Sequence, residues 1–384
     1  MSLLTQLVNL FFSQRRGEID FFMQHPARVQ QQQLERLLTQ AGGTVFGRDH
    51  GFGKIRTSEA YAAAVPVADY DSFSEYIGRT RTGEQNVLWP TEIKWFAKSS
   101  GTTSAKSKFI PVSDEGLSGC HLRGPMDVIC FFAGLYPKSG VFGGRTLTLG
   151  GSHRLESTGG RAQEGDLSAI LIENTPKWAS WRRTPRPETA LIPDFEEKVQ
   201  AICREAVPQR VTSFAGVPSW NLVLMNRVLE YTGKQNILEV WPEMELFVHG
   251  GMNFNPYREQ YRRIFPSDTM KYMETYNASE GFFAIQDDPS RDDMLLMLDY
   301  GVYYEFLPVS DLGDPSKVLY LSDLLCSMTG YSRSEVKDTF GGRYVEMLHP
   351  DDRGLLLASL RDLREYPHTV TVSYRIVRKD RSVL

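Results

Sequence analysis

The sequence predicts an α/β protein in which parallel sheets covered by helices make up most of the chain and a smaller α+β unit follows. Three observations carry this prediction. Helical and strand-like segments alternate between residues 141 and 260, the pattern that builds parallel strand pairing. The first 90 residues show helical apolar spacing broken by polar loops. VSDLGDPSK, residues 309–317, gathers Gly, Pro, Ser and Asp as a linker does, and the character of the chain changes beyond it. The expected organisation is a large domain over 1–308, a linker at 309–317 and a second unit over 318–384.

Each element has a local reason. QHPARVQQQQLERLLTQAG sets Val29, Leu34, Leu37 and Leu38 near helical spacing and stops at Gly42-Gly43. IKWFAK and FIPVS read as short strands on either side of a Ser/Thr/Gly loop. In DFEEKVQAICREAV, Asp194 and Glu197 have capping-box spacing, and Phe195, Val199, Ile202, Cys203 and Ala206 share one face. VTSFAGV is a strand, and the helix after it opens at Pro218-Ser219, turns Leu222, Met225, Val228 and Leu229 inward and ends at Gly233. From Met270, MKYMETYNASEGFFAIQ and DMLLMLDYGVYYEFLP read as successive β segments and predict a small β-barrel or sheet. In the last unit TVTVSYRIV alternates, with Val370, Val372, Tyr374 and Ile376 on its buried face.

Composition narrows the function classes. The chain has 384 residues, 41% hydrophobic and 23% charged, close to the average of soluble globular proteins, which excludes disorder or a coiled coil for its bulk. Lys and Arg number 43 against 47 Asp and Glu, so no overall positive field draws nucleic acid or anionic lipid, and neither is an expected partner. Cys120, Cys130, Cys203 and Cys326 form no C-x-x-C pair, which argues against a zinc ribbon or a disulfide framework and for a reducing compartment. The N-terminal apolar stretch precedes its positive charges, the reverse of a signal peptide, and the apolar run from Val128 to Tyr136 is too short to span a membrane. The expected location is cytoplasmic.

The chemistry concentrates in four segments. SSGTTSAKSKFIP, residues 99–111, carries the hydroxyls of Ser99, Ser100, Thr102 and Thr103, the flexible Gly101, and Lys106 and Lys108. Main-chain N–H groups, hydroxyls and positive charge in one loop suit a polyphosphate, although the register is not that of a Walker A loop. TYNASEGFF, residues 275–283, sets Glu280 at a strand end, where a carboxylate can offer oxygen ligands; alone it would read as a solvated charge. FVHGGMNFNPY carries Gly250 and Gly251 after a strand, fit for close approach to a ligand or for an ordinary turn. In VTSFAGVPSW, Val217 and Trp220 read either as an apolar wall for a substrate or as core. The seven histidines show no ligand or triad spacing and read as ordinary surface or core residues.

Through these four segments the sequence resembles the auxin-responsive acyl-acid amido synthetases, a family of adenylate-forming enzymes, over about residues 1–310. The resemblance implies a ligase that uses ATP and Mg²⁺ to adenylate a small carboxylic acid and can pass the acyl group to an amino acid. It implies phosphate binding by Ser99, Ser100, Gly101, Thr102, Thr103 and Lys108, with Ser104-Ala105 where many members carry glycine. It further implies Tyr276 against the adenine within the Tyr-x-x-Ser-Glu segment that includes Ser279, and Glu280 as the Mg²⁺ ligand and, with Lys108, a catalytic residue. Gly250, Gly251, Val217 and Trp220 would line the nucleotide and acid pockets. The family's later strands, its ribose-binding aspartate and its mobile C-terminal domain do not follow Pro308 here, so the complete two-step activity is not expected of this chain by itself.

Beyond Pro308, MTGYSRSEV, HPDDR and SYRIVRKDRS resemble a PAS domain. Arg381 stands where that family's hairpin usually has glycine, and an arginine at positive φ costs on the order of 1 kcal/mol. Self-association through this PAS-like tail is the partner expectation. The alternative reading of the whole is a sensory or interaction protein carrying a relic nucleotide-binding domain, and a third is a recombined fusion of two partial units.

Overall fold

The computed structural model describes residues 3–99, 107–151, 156–157, 162–306, 331, 335, 347–354 and 375–382. The chain divides into two compact units, residues 1–99 with 109–303 and residues 100–108 with 304–384. The expected linker at 309–317 lies outside the described residues. Among the described residues no helix is long and apolar enough to cross a membrane.

The strands are β1 (Trp95–Ser99), β2 (Lys108–Val112), β3 (Arg145–Thr148), β4 (Glu156–Ser157), β5 (Gln163–Gly165), β6 (Arg183–Thr184), β7 (Val211–Gly216), β8 (Leu246–Gly250), β9 (Lys271–Ala278), β10 (Gly281–Ile285) and β11 (Leu295–Leu296). They form a four-stranded sheet in the order β2-β1-β5-β4 and a seven-stranded sheet in the order β11-β10-β9-β8-β7-β3-β6. Strands β6, β3, β7, β8 and β9 run parallel, while β10 and β11 add antiparallel pairs at one side. The class is therefore the expected α/β with parallel sheet. The segment from Met270 does not close a small barrel among the described residues: β9 pairs with β8 from Lys271 to Thr275 and continues the main sheet. A β-rich run shows its strands locally, but not the partner they choose.

Both faces of the large sheet are covered. On one, Phe214 and Phe247 stack with centroids 4.1 Å apart and pack with Met225, Val228 and Tyr261 from the helices Pro218–Thr232 and Arg258–Ile264. On the other, Leu246, Met273, Phe282 and Ile285 meet Phe22, Cys130 and Phe132 from the helices Ser13–Gln24 and Arg123–Leu135. Neighbours Leu246 and Phe247 on β8 thus serve opposite cores, as the two-residue pleat requires. This accounts for the continuous burial of Val211 to Phe214 on β7, where even Thr212 and Ser213 are enclosed.

The helices follow their local signals. Pro26–Ala41 buries Val29, Leu34 and Leu38. Phe195–Ala206 is capped by the Asp194 carboxylate, which accepts the Glu197 N–H at 2.8 Å, and buries Val199, Ile202, Cys203 and Ala206. Pro218–Thr232 ends at Gly233, whose φ of 69° permits the left-handed cap. Cys120, Cys130 and Cys203 are free thiols in the core. In the second unit, Leu348 bridges Ile376 antiparallel and both are buried. Asp352 accepts hydrogen bonds from the main-chain N–H and the guanidinium of Arg375, and Arg381 adopts φ 68°, the left-handed conformation expected where glycine is usual.

Candidate functional site

Because β6, β3, β7, β8 and β9 are parallel, their carboxyl ends line one edge of the sheet, where ligands of open α/β sheets bind. Glycine shapes this edge at two strand ends. Gly216 ends β7 at φ 135°, and a β-carbon there would lie 2.8 Å from the side-chain nitrogen of Asn221. Gly250 ends β8, and a β-carbon there would lie 2.2 Å from the carbonyl oxygen of Thr275 on β9. Gly251 follows at φ 80°, with Val217 beside it. The side chain missing from Gly250 thus admits the neighbouring strand, whereas Gly251 supplies the turn.

Strand β9 returns as β10 through a two-residue turn, Ser279-Glu280, with Ala278 paired to Gly281. Glu280 is exposed at its tip, and its carboxylate makes no ion pair or hydrogen bond among the described residues. Tyr276 is 52% exposed and its ring lies 5.1 Å from that of Phe283, so its outer face is open to a planar partner.

Buried polar atoms without a partner recur along the same edge. They are Thr184 Oγ1 at the end of β6, Asn221 Oδ1 after β7 and His249 Nδ1 on β8, while His121 and Asn277 beside β9 face each other. Others, on Gln33, Arg81, Gln209, His349 and Arg378, are not on these strand ends. Buried polar groups are normally satisfied, so a run of orphans at the carboxyl edge marks where a ligand or water completes the structure. Burial, with Arg258 adding repulsion, pushes the His249 imidazole down to about 4. Burial likewise pushes His121 to about 4, with the Asn277 amide acting weakly the other way.

Both histidines fold neutral with values below those of the unfolded chain, so their stabilisation is complete above about pH 6.5 and is lost as pH falls toward 4. Between pH 7.5 and 5 the loss should be on the order of 2 kcal/mol each. Glu274, raised by burial, works in the opposite direction. Urea midpoints at the two pH values check this, and a His249→Gln variant should flatten the dependence. An unchanged slope in that variant would show that His249 is protonated without penalty.

The structure brings Val217, Gly250, Gly251, Tyr276, Ser279 and Glu280 together on the ends of three adjacent strands, β7, β8 and β9. Trp220 is 54% exposed and packs its ring 5.2 Å from Phe195, which overturns the reading of it as core. Ser99 ends β1 and Lys108 begins β2 in the other sheet. Ser100, Gly101, Thr102 and Thr103 lie outside the described residues.

Several residues of this edge escape sequence reasoning. His121, Asn221 and His249 have no diagnostic spacing, and a lone histidine or asparagine near a strand end signals nothing by itself. Lys198 is 1% exposed, and its ammonium donates to the carbonyls of Gly151 at 2.7 Å and Gly150 at 3.3 Å after β3. Burial pushes its pKa down, opposed by Asp166. A lysine in a capped amphipathic helix reads as a surface residue, since its partners are carbonyls nearly fifty positions away.

Among the described residues no three His, Cys, Asp or Glu side chains form a ready metal cage. Mg²⁺ carried on a nucleotide needs only one or two protein carboxylates, because phosphates and water complete its octahedron. The open carboxylate of Glu280 fits that mode.

Comparison with known proteins agrees with the architecture. A GH3 family N-terminal domain model matches residues 15–197 and 161–270, and a PAS fold model matches residues 318–384. The chain is 25% identical over 233 residues to a probable indole-3-acetic acid-amido synthetase, GH3.12, of Oryza sativa subsp. japonica, covering 57% of this chain and 35% of that protein. It is 27% identical over 118 residues to the jasmonoyl–L-amino acid synthetase JAR6 of Nicotiana attenuata, covering 30% of this chain and 20% of that protein. The fold matches the GH3.15 acyl acid amido synthetase solved with 2,4-DB at TM-score 0.58 and 16% identity, over 70% of this chain and 56% of that one. The chain thus spans about a third or less of the length of these two sequence relatives.

Proposed function

The chain belongs to the GH3 family, whose N-terminal domain it carries, and from that premise we propose that it binds ATP with Mg²⁺ and adenylates a small carboxylic acid. The carrying observation is the meeting of Gly251, Val217, Tyr276 and Glu280 on the carboxyl ends of β7, β8 and β9, along an edge rich in unpartnered buried polar atoms.

In this reading a carboxylate oxygen of the acid attacks the α-phosphorus of ATP. A new P–O bond forms, the bond to the bridging oxygen of the β-phosphate breaks, and pyrophosphate leaves with the electron pair. The acyl-adenylate so formed is the species that an amino-acid amine would attack at the acyl carbon, with AMP departing and the amine losing its proton to solvent, a second step not expected of this chain by itself. Adenylation turns a poor electrophile into a good one, so the protein's work is mainly positioning and charge neutralisation. Lys108, with Ser99, Ser100, Gly101, Thr102 and Thr103, holds the phosphates, and Tyr276 lies along the adenine. Glu280 provides oxygen for Mg²⁺, which when bound neutralises phosphate charge. Val217 and Trp220 offer apolar surface to the acid. The names of the relatives, which include indole-3-acetic acid and jasmonoyl synthetases, support an acid with a compact apolar body.

Acid-dependent exchange of labelled pyrophosphate into ATP, measured with Mg²⁺ over a panel of aryl and indole acids, tests the proposal. Exchange is expected with at least one acid and none without acid. Binding of ATP without exchange for any acid would sink the enzymatic reading in favour of a PAS-bearing sensor.

A further inference from the structure

Just before the helix Arg123–Leu135, residues Leu117–His121 form a π-helical turn, with the Leu122 N–H donating to the Leu117 carbonyl at 2.9 Å. Such turns carry an extra residue and turn side chains out of the ordinary helical register, frequently beside functional sites. Here two consecutive side chains of the turn meet the two strands of one hairpin. The Cys120 thiol accepts the N–H of Phe282 on β10 at 3.2 Å and donates to the Phe282 carbonyl at 3.5 Å. His121 lies beside Asn277 on β9. Asn277 and Phe282 are themselves cross-strand partners, one pair removed from the turn bearing Ser279 and Glu280.

The seat is close-fitting. The Phe282 ring lies over Gly124, where a β-carbon would fall 2.3 Å from it, and Cys120, His121 and Phe282 are each buried. Both main-chain groups of Phe282 are thereby served by one sulfur atom, in a place where buried N–H and C=O groups cannot go unpaired without cost. Phe282 stands only two residues from Glu280, so a shift of its main chain is passed directly to the carboxylate.

We propose that Cys120 is a positioning residue, whose thiol clamps β10 through Phe282 and so sets where the Ser279-Glu280 turn presents its carboxylate. The inference rests on Glu280 serving ATP and Mg²⁺ as described above, and it adds a residue with no contact to substrate. A serine at 120 can donate and accept as the thiol does, though over a shorter reach, whereas alanine leaves both Phe282 groups unpaired.

The test uses the full chain with Cys120→Ala and Cys120→Ser, reading amide hydrogen exchange at Phe282 and the calorimetric affinity for ATP in saturating Mg²⁺. Cys120→Ala should speed Phe282 exchange and weaken ATP binding, each by about tenfold, and Cys120→Ser should restore most of both. If alanine does not fold, Cys120→Val, which fills the seat but cannot pair the main chain, takes its place with the same expectation. Faster exchange with unchanged ATP affinity would overturn the positioning role, and a serine variant no better than alanine would overturn the hydrogen-bonding assignment. If wild-type protein binds no ATP, the functional reading fails, and the clamp itself stands or falls on Phe282 exchange alone.

Discussion

Replacing Asp127 with alanine should lower the unfolding free energy by about 3–5 kcal/mol, a large share of the stability of an ordinary domain. Asp127 is 1% exposed and accepts from Arg15 through Nη2 at 2.6 Å and Nε at 3.0 Å, and from the Tyr300 hydroxyl at 2.6 Å. Arg15 also pairs with Asp299 at 2.5 Å and Glu18 at 3.0 Å, and Arg123 closes the network onto Asp299 at 3.0 Å. Burial alone would lower the Arg15 pKa, but the hydrogen bonds it donates to Asp299 and Asp127 outweigh it and hold the guanidinium firmly charged. Removing Asp127 takes away the most buried partner of that cation, leaving Asp299 and Glu18, and strips the Tyr300 hydroxyl as well. The urea midpoint measures the loss. A double change, Asp127→Leu with Arg15→Met, should recover much of it, because the cost comes from a buried charge left with fewer partners. A single-mutant loss below 1 kcal/mol would mean that water reaches the site and screens Arg15.

Changing Glu280 to glutamine should cut acid-dependent pyrophosphate exchange by about a hundredfold or more, roughly 3 kcal/mol of transition-state stabilisation, while leaving the fold intact. Glu280 is exposed on a two-residue turn and takes part in no hydrogen bond among the described residues, so its stability effect should stay within about 0.5 kcal/mol. Large kinetic and negligible thermodynamic effects at one residue separate a ligand from a structural charge. Lys108→Ala should weaken ATP affinity by roughly ten- to a hundredfold, a charge-assisted contact being worth roughly 1.5–3 kcal/mol. Exchange by the glutamine variant at near wild-type rate would return Glu280 to the role of a solvated turn charge.

The elements set by local chemistry were legible in the sequence. The helices at 26–41, 195–206 and 218–232 announce themselves through apolar spacing, an Asp194 cap and a Gly233 stop, because capping and periodicity act within a few residues. The paired glycines were visible as local turn signals, whereas the Tyr-x-x-Ser-Glu segment and the left-handed conformation of Arg381 were legible through the resemblances to the two families. Resemblance supplied the expected roles of Tyr276 and Glu280, which periodicity does not contain.

Only the tertiary structure decided what those elements meet. Strand β9 looks alike whether it enters a barrel or continues the main sheet, since its alternation says which residues share a face and not which strand lies alongside. Arg15 finds Asp127 across 112 positions and Cys120 finds Phe282 across 162, so neither the charge nor the thiol carries a local mark of its partner. Lys198 and Trp220 reverse their usual places, the lysine buried on glycine carbonyls and the tryptophan out in solvent. Side-chain burial is a property of the assembled packing, where hydrogen-bond satisfaction and shape outweigh the average preference of a residue type.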